Sequence, residues 1–384
     1  MNVSSNTVPL RLGMVGGGEG AFIGGVHRFA ARLDGHFDLV AGALSSDTQR
    51  SLSSGLALGL AADRCYASFS EMAVAEAKRD DGIQVVAIVT PNHLHFAAAK
   101  AFLEQGIHVI CDKPLTSNLE DAYALAKVAR NSDSLFVLSH NYTAYPMVRQ
   151  AREMVQKGDL GSIRLVQVEY AQDWLTEKVE ASGAKQAVWR TDPKQSGKGG
   201  AIGDIGTHAF NLANFISGMV PKDLLADLDS FVEGRLVDDN AHILMRYAEG
   251  AKGMIWASQV APGHENDLKI RIYGDKGGLE WQQTDPNKLW HSPLNENRQL
   301  ITRGGHGQGD AAARVTRTPA GHPEGYLEAF ATIYVEAAQA IRSKEAGESV
   351  DDLLCPTVGD GLLGMRFIVA CIESSGQGAV WTKI

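Results

Sequence analysis

Residues 16–25 read Gly16-Gly17-Gly18-Glu19-Gly20-Ala21-Phe22-Ile23-Gly24-Gly25, and this glycine-rich stretch decides the fold. It follows a short apolar run, 11–15, and opens a helix-compatible segment, 21–33. A glycine turn between a strand and a helix lets the backbone approach a pyrophosphate, whose charge is met by backbone N–H groups and the positive end of the helix. The stretch therefore predicts a dinucleotide-binding turn.

The turn is longer than the usual G-x-G-x-x-G pattern of such sites. Gly16 and Gly18 fit the first two glycines of that pattern. The third glycine is either replaced by Ala21 or postponed to Gly24, and the sequence leaves both alternatives open.

Strand-like and helix-like segments alternate from this turn to about residue 140. The apolar runs lie at 11–15, 37–44, 83–89, 108–111 and 135–138, and helical patterns fill the intervals between them. Such alternation is typical of βαβ units with a parallel sheet covered by helices on both faces. We expect a doubly wound Rossmann domain over residues 1–140, which binds a dinucleotide.

The pattern changes after Asn141. A helix at 146–157 leads into strand-like segments at 163–170, 226–232, 241–247, 251–260 and 268–273, separated by short turns such as Glu249-Gly250. Beyond the last of these strands, the Gly-, Pro- and Asn-rich region up to residue 321 predicts mostly irregular loops. Helices are expected again at 326–343 and 359–374. Residues 141–384 thus form a predicted α/β substrate-binding and oligomerisation domain with an open, mainly antiparallel sheet.

Composition excludes several classes of protein. The 384 residues are 44% hydrophobic and 21% charged, a mixture typical of a globular chain. The net charge of −9 repels phosphate backbones and anionic lipids, so we expect neither nucleic acid nor membrane as a partner. No apolar run approaches the roughly 18 residues of a membrane span.

The N-terminus and the cysteines indicate the compartment. Residues 1–9 contain neither a basic nor an apolar signal region, so no signal peptide is expected. The four cysteines, Cys65, Cys111, Cys355 and Cys371, are far apart and show no CxxC spacing, which argues against a disulfide framework or a zinc site. We expect a cytoplasmic protein without a metal.

The second strand bears on the choice of nicotinamide cofactor. An acidic residue at its end would bind the ribose hydroxyls of NAD, whereas this chain reads Ala43-Leu44-Ser45-Ser46-Asp47, with Arg50 one turn later. Ser45 with Asp47 could serve NAD, while Arg50 could serve the extra phosphate of NADP. We favour NAD because Arg50 is not placed directly at the strand end, and NADP stays open.

Two further features of the sequence contain candidate functional residues. Lys113 follows a predicted strand, within Cys111-Asp112-Lys113-Pro114, and would lie at the carboxyl end of the parallel sheet, where doubly wound folds bind ligands. Asp204 and His208 are four residues apart and would share one face of a helix. The alternative interpretation of Lys113 is a solvated surface charge. The alternative for the other pair is that Asp204 stabilises the start of a helix and that His208 is unrelated to it.

Taken together, these motifs resemble the Gfo/Idh/MocA family, the glucose-fructose oxidoreductase and inositol dehydrogenase group. The resemblance rests on the glycine turn, on Thr90-Pro91-Asn92-His93-Leu94-His95, on Asp112-Lys113-Pro114 and on Asp204-Ile205-Gly206-Thr207-His208, in family order over nearly the whole chain. It implies a Rossmann domain followed by an α/β domain that often pairs with another subunit, in a dimer or a homotetramer. The inositol and sugar dehydrogenase branch, which includes enzymes for scyllo-inositol and L-glucose, is the most similar.

The resemblance implies Lys113, Asp204 and His208 as catalytic residues. Hydride transfer requires the substrate hydroxyl to lose its proton, and an imidazole exchanges protons near neutral pH, so His208 is the expected general base. Lys113 would stabilise the developing alkoxide, and Asp204 would orient the substrate through an adjacent hydroxyl.

Further residues complete the expected site. The expected cofactor-binding residues are Gly16, Gly18, Phe22, Ile23, Ser45, Thr90, Asn92, His95, Asp112 and Lys113. The expected substrate-binding residues are Lys113, Asn141, Tyr142, Arg190, Asp204, His208 and His322. His93 and His95 lack the carboxylate or cysteine partners of a metal site, and no metal is expected.

The sequence thus predicts a nicotinamide-dependent dehydrogenase that acts on a secondary alcohol of a cyclitol or sugar. An NADP-dependent sugar reductase and an aldose 1-dehydrogenase are the enzymatic alternatives. A nucleotide-binding regulatory sensor is the alternative of another class, but such a sensor has no need for Lys113, Asp204 and His208 together.

Overall fold

The computed structural model describes residues 8–350 and 354–384 and divides them into two compact units. The first unit contains the described residues up to Asn141 and those of Tyr326–Leu362, and the second contains Tyr142–Gly325 and Leu363–Ile384. Residues 1–7, on which the expectation about a signal peptide partly rests, lie outside the described residues. None of the helices within the described ranges is long and apolar enough to span a bilayer.

Strands and helices are numbered separately in chain order. The strands are β1 Leu10–Gly16, β2 Phe37–Ala43, β3 Val85–Val89, β4 His108–Cys111, β5 Phe136–Leu138, β6 Ile163–Ala171, β7 Pro221–Asp229, β8 Asn240–Tyr247, β9 Lys252–Ser258, β10 Asp267–Gly274, β11 Gly277–Gln282, β12 Lys288–Pro293, β13 Gln299–Thr302 and β14 Thr382–Lys383. The helices are α1 Phe22–Leu33, α2 Thr48–Ala57, α3 Phe69–Glu76, α4 His95–Leu103, α5 Leu119–Arg130, α6 Pro146–Lys157, α7 Lys185–Arg190, α8 Pro193–Ser196, α9 Thr207–Ser217, α10 Asp310–Ala313, α11 Tyr326–Glu345 and α12 Val358–Gly376.

The first unit is built on a five-stranded parallel sheet in the order β2-β1-β3-β4-β5. All five residues of β3 are buried, as parallel strands covered on both faces require. The strand order reverses at β1, where doubly wound folds bind ligands at the carboxyl ends of the strands. The predicted Rossmann sheet is confirmed, with each of its five strands in the predicted place.

A late segment of the chain completes this first unit. Helix α11 packs against α1, where the Tyr334 hydroxyl lies 2.9 Å from Nδ1 of His27. The rings of Phe330 and Tyr334 both make edge contacts with the His27 ring. The described residues between 326 and 362 therefore lie with the Rossmann sheet, whereas the sequence placed everything after 140 in one second domain. The helical pattern of α11 shows that it has a buried face but not which sheet that face covers.

The second unit is built on a nine-stranded sheet in the order β13-β12-β11-β10-β6-β9-β8-β7-β14. All neighbours are antiparallel except β6 and β9, which are parallel. The turn at Glu249-Gly250 joins β8 to β9 as predicted, and Gly250 adopts a φ of +93° there. In β8 the buried Ile243, Met245 and Tyr247 alternate with more accessible neighbours, the period of a sheet covered on one face. The open, mainly antiparallel sheet is confirmed.

The prediction of mostly irregular loops after β10 is wrong for residues 277–302. Strands β11, β12 and β13 extend the sheet there, with Ile270 opposite Trp281 in the first added pair. These strands have only four to six residues and contain Gly277-Gly278 and Pro293, which lower the local strand signal. They form because pairing of β11 with β10, and of β12 with β11, buries side chains such as Trp281 and Leu289. This is a tertiary effect that local composition does not show.

Candidate active site

The glycine turn between β1 and α1 has a backbone that only glycine tolerates. Gly16 and Gly17 adopt φ values of +78° and +73°. A Cβ on Gly18 would lie 2.7 Å from the Leu44 carbonyl oxygen, and a Cβ on Gly24 would lie 2.3 Å from Cα of Gly17. Gly24, rather than Ala21, therefore takes the position at which the helix packs closely on the turn. This settles the alternative that the sequence left open.

The start of α1 suits an anionic group. Ala21 stands at the N-cap and provides no side-chain hydrogen bond to the first turn of the helix, so backbone N–H groups there are available to an anion. Phe22 and Ile23 follow directly, and the Phe22 side chain is 69% exposed. The turn and the helix start together fit the pyrophosphate of a dinucleotide.

The loop after β2 shows how Ser45 and Asp47 are used. The Asp47 carboxylate accepts a hydrogen bond from the Arg50 backbone N–H at 2.7 Å and caps α2. The Ser45 hydroxyl oxygen accepts one from the Asp47 N–H at 3.1 Å. The Asp47 carboxylate is thus used in capping α2. Ser45 is the polar residue nearest to the end of β2. The Arg50 side chain is exposed.

Predicted residues converge at the carboxyl ends of β3 and β4. The Asp112 side chain accepts hydrogen bonds from the Lys113 N–H at 2.9 Å and from the Ser139 hydroxyl at 2.7 Å. The fully buried His95 has Nδ1 at 2.8 Å from the Pro114 carbonyl oxygen and Nε2 at 2.9 Å from that of Thr90. Burial lowers the pKa of His95. Since both ring nitrogens face backbone carbonyls, we interpret His95 as holding the loop that carries Lys113.

Two buried polar atoms in the first unit test whether a dinucleotide fits. Oγ1 of Thr90, directly after β3, and Nδ2 of Asn141, after β5, are buried and have no hydrogen-bond partner among the described residues. Native proteins rarely leave such atoms unsatisfied, and a bound ligand is one way in which they are satisfied. Asn92, two residues after Thr90, is also buried. The glycine cradle and these two atoms fit a nicotinamide dinucleotide held by the first unit.

In the second unit, Asp204 and His208 lie on one continuous helix. A π-helical segment, Ile202–Gly206, carries Asp204 and runs directly into α9, which carries His208. The residue that caps this helix is Asp238, which precedes β8. Its two carboxylate oxygens accept the N–H groups of Gly200 at 2.7 Å and of Ile202 at 2.8 Å. Its carbonyl oxygen also accepts the N–H of Ala201 at 2.8 Å.

The sequence contained no sign of this cap, because Asp238 lies more than thirty positions away from the helix that it caps. Desolvation of the carboxyl group raises the pKa of Asp238 to about 6, although its backbone hydrogen bonds act in the opposite direction. The start of the Asp204 helix therefore depends on a carboxyl group that changes charge close to neutral pH.

The structure brings together Arg190 and Asp204, two of the expected substrate-binding residues. Nε of Arg190 lies 3.3 Å from Oδ2 of Asp204. The Arg190 guanidinium is 4.3 Å from the ring centroid of Trp189 and 6.0 Å from that of Trp174. Arginine between aromatic rings beside a carboxylate gives a flat, polar surface.

Tyr142 and His208 are also in contact. Their rings meet edge-on with centroids 4.9 Å apart, and the Tyr170 ring lies 6.3 Å from His208 on the same side. Burial raises the pKa of Tyr142, so its hydroxyl stays protonated at neutral pH. His208 itself is only 7% exposed. The histidine thus sits in a largely dry, aromatic surrounding.

His322 is placed differently from the other predicted residues. Its side chain is exposed, and its backbone carbonyl accepts hydrogen bonds from Arg303 and from the Thr318 hydroxyl. Buried Arg303 also pairs with buried Glu324 at 3.1 Å. These contacts hold the loop before α11, and none of them involves the His322 ring. Regarding metals, the described part of the chain contains no group of three potential His, Cys, Asp or Glu ligands.

The sequence missed a set of polar side chains around Asp204. They are Tyr170, Gln172, Trp174, Gln259 and Asn266. Gln172 directly follows β6, Gln259 directly follows β9, and Asn266 directly precedes β10. Because β6 lies between β9 and β10 and runs parallel to one and antiparallel to the other, these three positions fall at one end of the sheet. Polar residues at three neighbouring strand ends were the available signal.

These features define an NAD-binding oxidoreductase. Residues 10–142 match the model of an oxidoreductase family with an NAD-binding Rossmann fold, and residues 148–280 match the model of the GFO/IDH/MocA C-terminal domain. The chain belongs to the Gfo/Idh/MocA family, as its motifs predicted.

Similar proteins cover the whole chain. An oxidoreductase structure from Sinorhizobium meliloti is 57% identical, with a TM-score of 0.90 over 98% of this chain and 100% of that one. An inositol dehydrogenase homolog from Azotobacter vinelandii, in complex with NADH and myo-inositol, is 36% identical, with a TM-score of 0.92 over 98% of both chains. The uncharacterized oxidoreductase YfiI of Bacillus subtilis is 38% identical over 98% of this chain and 97% of its own length.

Proposed function

We propose that this protein is an NAD-dependent dehydrogenase that removes a hydride from a secondary hydroxyl of a cyclitol or sugar, of the scyllo-inositol or L-glucose type. The observation that carries the proposal is the polar cluster around the Asp204–His208 helix. There the carboxylate of Asp204, the guanidinium of Arg190 and the imidazole of His208 lie beside aromatic rings. The relative from Azotobacter vinelandii, which was crystallised with NADH and myo-inositol, supports the same class of substrate.

We propose His208 as the general base, because the reacting hydroxyl must lose its proton as the C–H bond breaks. The aromatic surrounding of His208 excludes water and favours direct proton transfer. The bound nicotinamide supplies the hydride acceptor. Lys113, held by the loop that His95 fixes, would stabilise the negative charge that develops on the alkoxide oxygen.

We propose that Asp204 and Arg190 orient the substrate. A carboxylate accepts hydrogen bonds from hydroxyl groups, and a guanidinium donates to them, so the pair can hold two neighbouring hydroxyls of a ring. Tyr142 is a proposed substrate contact through its protonated hydroxyl. Asn141 is proposed to contact substrate or cofactor through its Nδ2, which has no partner within the described part of the chain. We also propose His322 as a substrate contact.

The test is a spectrophotometric assay of the reduced nicotinamide with NAD or NADP against inositols, glucose isomers and anhydrosugars. We expect turnover of at least one polyol, with NAD preferred because Arg50 is not at the strand end. Tight nucleotide binding without turnover of any polyol would overturn the enzymatic proposal in favour of a regulatory sensor. A preference for NADP would assign a role to the exposed Arg50 side chain and favour a reductase or an aldose 1-dehydrogenase.

The roles of His208 and Lys113 are separable by substitution. We expect His208→Ala to remove most of kcat at every pH. If His208→Ala retained most of kcat while Lys113→Ala abolished it, Lys113 would be the base. We also propose a cytoplasmic homo-oligomer, a dimer or tetramer, which light scattering on the purified protein tests for subunit number.

A further inference from the structure

We propose that Gln259 is a positioning residue that fixes the orientation of Asp204 and keeps it ionised. It does so within a chain of hydrogen bonds in which the donor and the acceptor of every bond are determined. The proposal rests on the proposed function, in which Asp204 orients the substrate. Gln259 belongs to none of the motifs on which the family resemblance rests. Its side chain is 2% exposed, and its Nε2 lies 3.0 Å from Oδ2 of Asp204.

Trp174 determines which groups in the chain donate and which accept. An indole N–H can only donate, and that of Trp174 donates to Oε1 of Gln172 at 2.9 Å. The Gln172 amide is therefore oriented with its oxygen toward Trp174 and its nitrogen toward Asn266. The nitrogen donates to Oδ1 of Asn266 at 2.6 Å.

Gln259 must then present its nitrogen to both of its neighbours. Nε2 of Gln259 lies 3.2 Å from Oε1 of Gln172, which is already an acceptor, and 3.0 Å from the Asp204 carboxylate. Each of its two N–H bonds therefore has one acceptor. A donor held at this distance favours the charged form of a carboxylate. Gln259 thus supplies Asp204 with a hydrogen bond whose direction Trp174 determines.

The other branch of the chain ends beside His208. The Tyr170 hydroxyl donates to Oδ1 of Asn266 at 2.9 Å, and Nδ2 of Asn266 lies 3.3 Å from the Tyr142 hydroxyl oxygen. Tyr142 must therefore donate to Tyr170, across a distance of 2.6 Å. Since the Tyr142 ring packs on His208, one oriented chain supports both residues of the Asp204–His208 pair.

Rigid structure holds this chain in place. The Gln259 backbone N–H donates to the Asp239 carbonyl at 2.8 Å, and its carbonyl accepts the Leu175 N–H at 3.1 Å. Charged or titratable groups near Asp204 include Arg190 at 3.3 Å, His208 four residues later on the same helix, and Tyr142. The neutral amide of Gln259 is the donor that comes from the sheet.

The experiment replaces Gln259 by Met, which keeps the length of the side chain and removes both donors. The full-length protein is assayed with NAD and its best polyol, and the Asp204 carboxyl is titrated by carbon NMR on ¹³C-labelled aspartate, with Asp204→Asn for assignment. We expect kcat to fall roughly ten- to a hundredfold, because a hydrogen bond to a charged group is lost. The Asp204 midpoint should rise by about one pH unit. Side-chain packing alone would not move this midpoint.

Trp174→Phe provides a second variant, with Trp256→Phe as its matched control. Both substitutions remove one indole N–H, but the Trp256 N–H donates to Asn240, outside the chain. Trp174→Phe should move the Asp204 midpoint in the same direction as Gln259→Met, by a smaller amount, and Trp256→Phe should not move it. Trp174→Phe also carries the test if Gln259→Met does not fold.

An unchanged Asp204 midpoint in Gln259→Met would overturn the positioning role, as would equal shifts in Trp174→Phe and Trp256→Phe. If the wild type turns over no polyol, the proposed function fails. The carboxyl titration still decides the role of Gln259 in that case, because it needs no turnover. A midpoint shift accompanied by normal kcat would overturn the link between Asp204 orientation and catalysis.

Discussion

Gly24 shows how one residue controls the cofactor turn. It lies inside α1, where alanine would ordinarily be the better helix former, yet a Cβ there would meet the backbone of Gly17 at 2.3 Å. Its neighbour Gly25 lies in the same helix turn, and a Cβ there would meet nothing closer than Nη2 of Arg28 at 3.9 Å. The two glycines therefore differ in role although their sequence context is alike.

We predict opposite results for alanine at these two positions. Gly24→Ala should destabilise the protein by about 1–3 kcal/mol through overpacking and weaken nucleotide binding. Gly25→Ala should be neutral or stabilise it by up to about 1 kcal/mol through helix propensity. Urea unfolding and NADH fluorescence titration measure both effects. Wild-type NADH affinity in Gly24→Ala would contradict the packing argument.

His95 and His93 form a second contrasting pair of single residues. His95 is fully buried between the carbonyls of Thr90 and Pro114, whereas His93 is exposed. We predict that His95→Ala lowers the free energy of unfolding by about 1–3 kcal/mol, because the carbonyl that accepts the single N–H of the neutral imidazole loses its donor, and that it lowers kcat by moving the Lys113 loop. His93→Ala should change neither quantity. Equal stability of the two variants in urea would contradict this role of His95.

The helix of Asp204 and His208 is the element on which the candidate site depends most. Sequence spacing correctly indicated that the two residues share a helix, but it did not show the π-helical segment or the Asp238 cap. A cap from a distant loop leaves no local pattern, since its partner positions are set by the tertiary fold. Strands β11–β13 were not predicted for a similar reason, because their stability comes from pairing with neighbouring strands of the sheet.

A pH-dependent stability follows from the Asp238 cap. Its pKa is raised from the ordinary 3.8 to about 6, so the folded protein binds this proton more tightly than the unfolded chain does. The contribution to the unfolding free energy is complete below about pH 4 and is lost as the pH rises through 6. We predict that wild type loses on the order of 2–3 kcal/mol relative to Asp238→Asn across this interval.

Urea unfolding at several pH values between 4 and 7 measures this difference, and the exposed Asp227→Asn is a suitable control. Parallel pH profiles for wild type and Asp238→Asn would contradict the assignment. The same substitution should lower kcat at pH 7, since an amide cannot accept both backbone N–H groups of Gly200 and Ile202.

At the scale of the whole molecule, the sequence predicted both sheets and all five Rossmann strands, because buried parallel strands are continuously apolar and helices separate them. It did not predict that α11 returns to the first unit. Periodicity reveals that a helix has a buried face, while the choice of partner depends on the complementary shapes of distant surfaces. The sequence identified the motif residues of the candidate site, but it did not identify the polar side chains at the strand ends, such as Gln172, Gln259 and Asn266.

We predict that a fragment ending at residue 141 does not form a stable nucleotide-binding unit. Without α11, the His27, Phe37 and α1 surfaces that contact Tyr334 and Phe330 would be exposed to water. Joining residues 326–362 to this fragment through a flexible linker should restore cooperative unfolding and NADH binding. Circular dichroism and NADH titration measure both. Wild-type-like binding by the shorter fragment would contradict the prediction.

The late return of α11 also has a consequence for synthesis on the ribosome. Chain growth at about 5–20 residues per second takes roughly 10–40 s to pass from Tyr142 to Gly325. During this interval the glycine turn and α1 have already emerged, but the helix that covers α1 has not been made. The cofactor-binding unit is therefore begun first but completed late in synthesis, and the surface of α1 that α11 covers stays exposed to water until then.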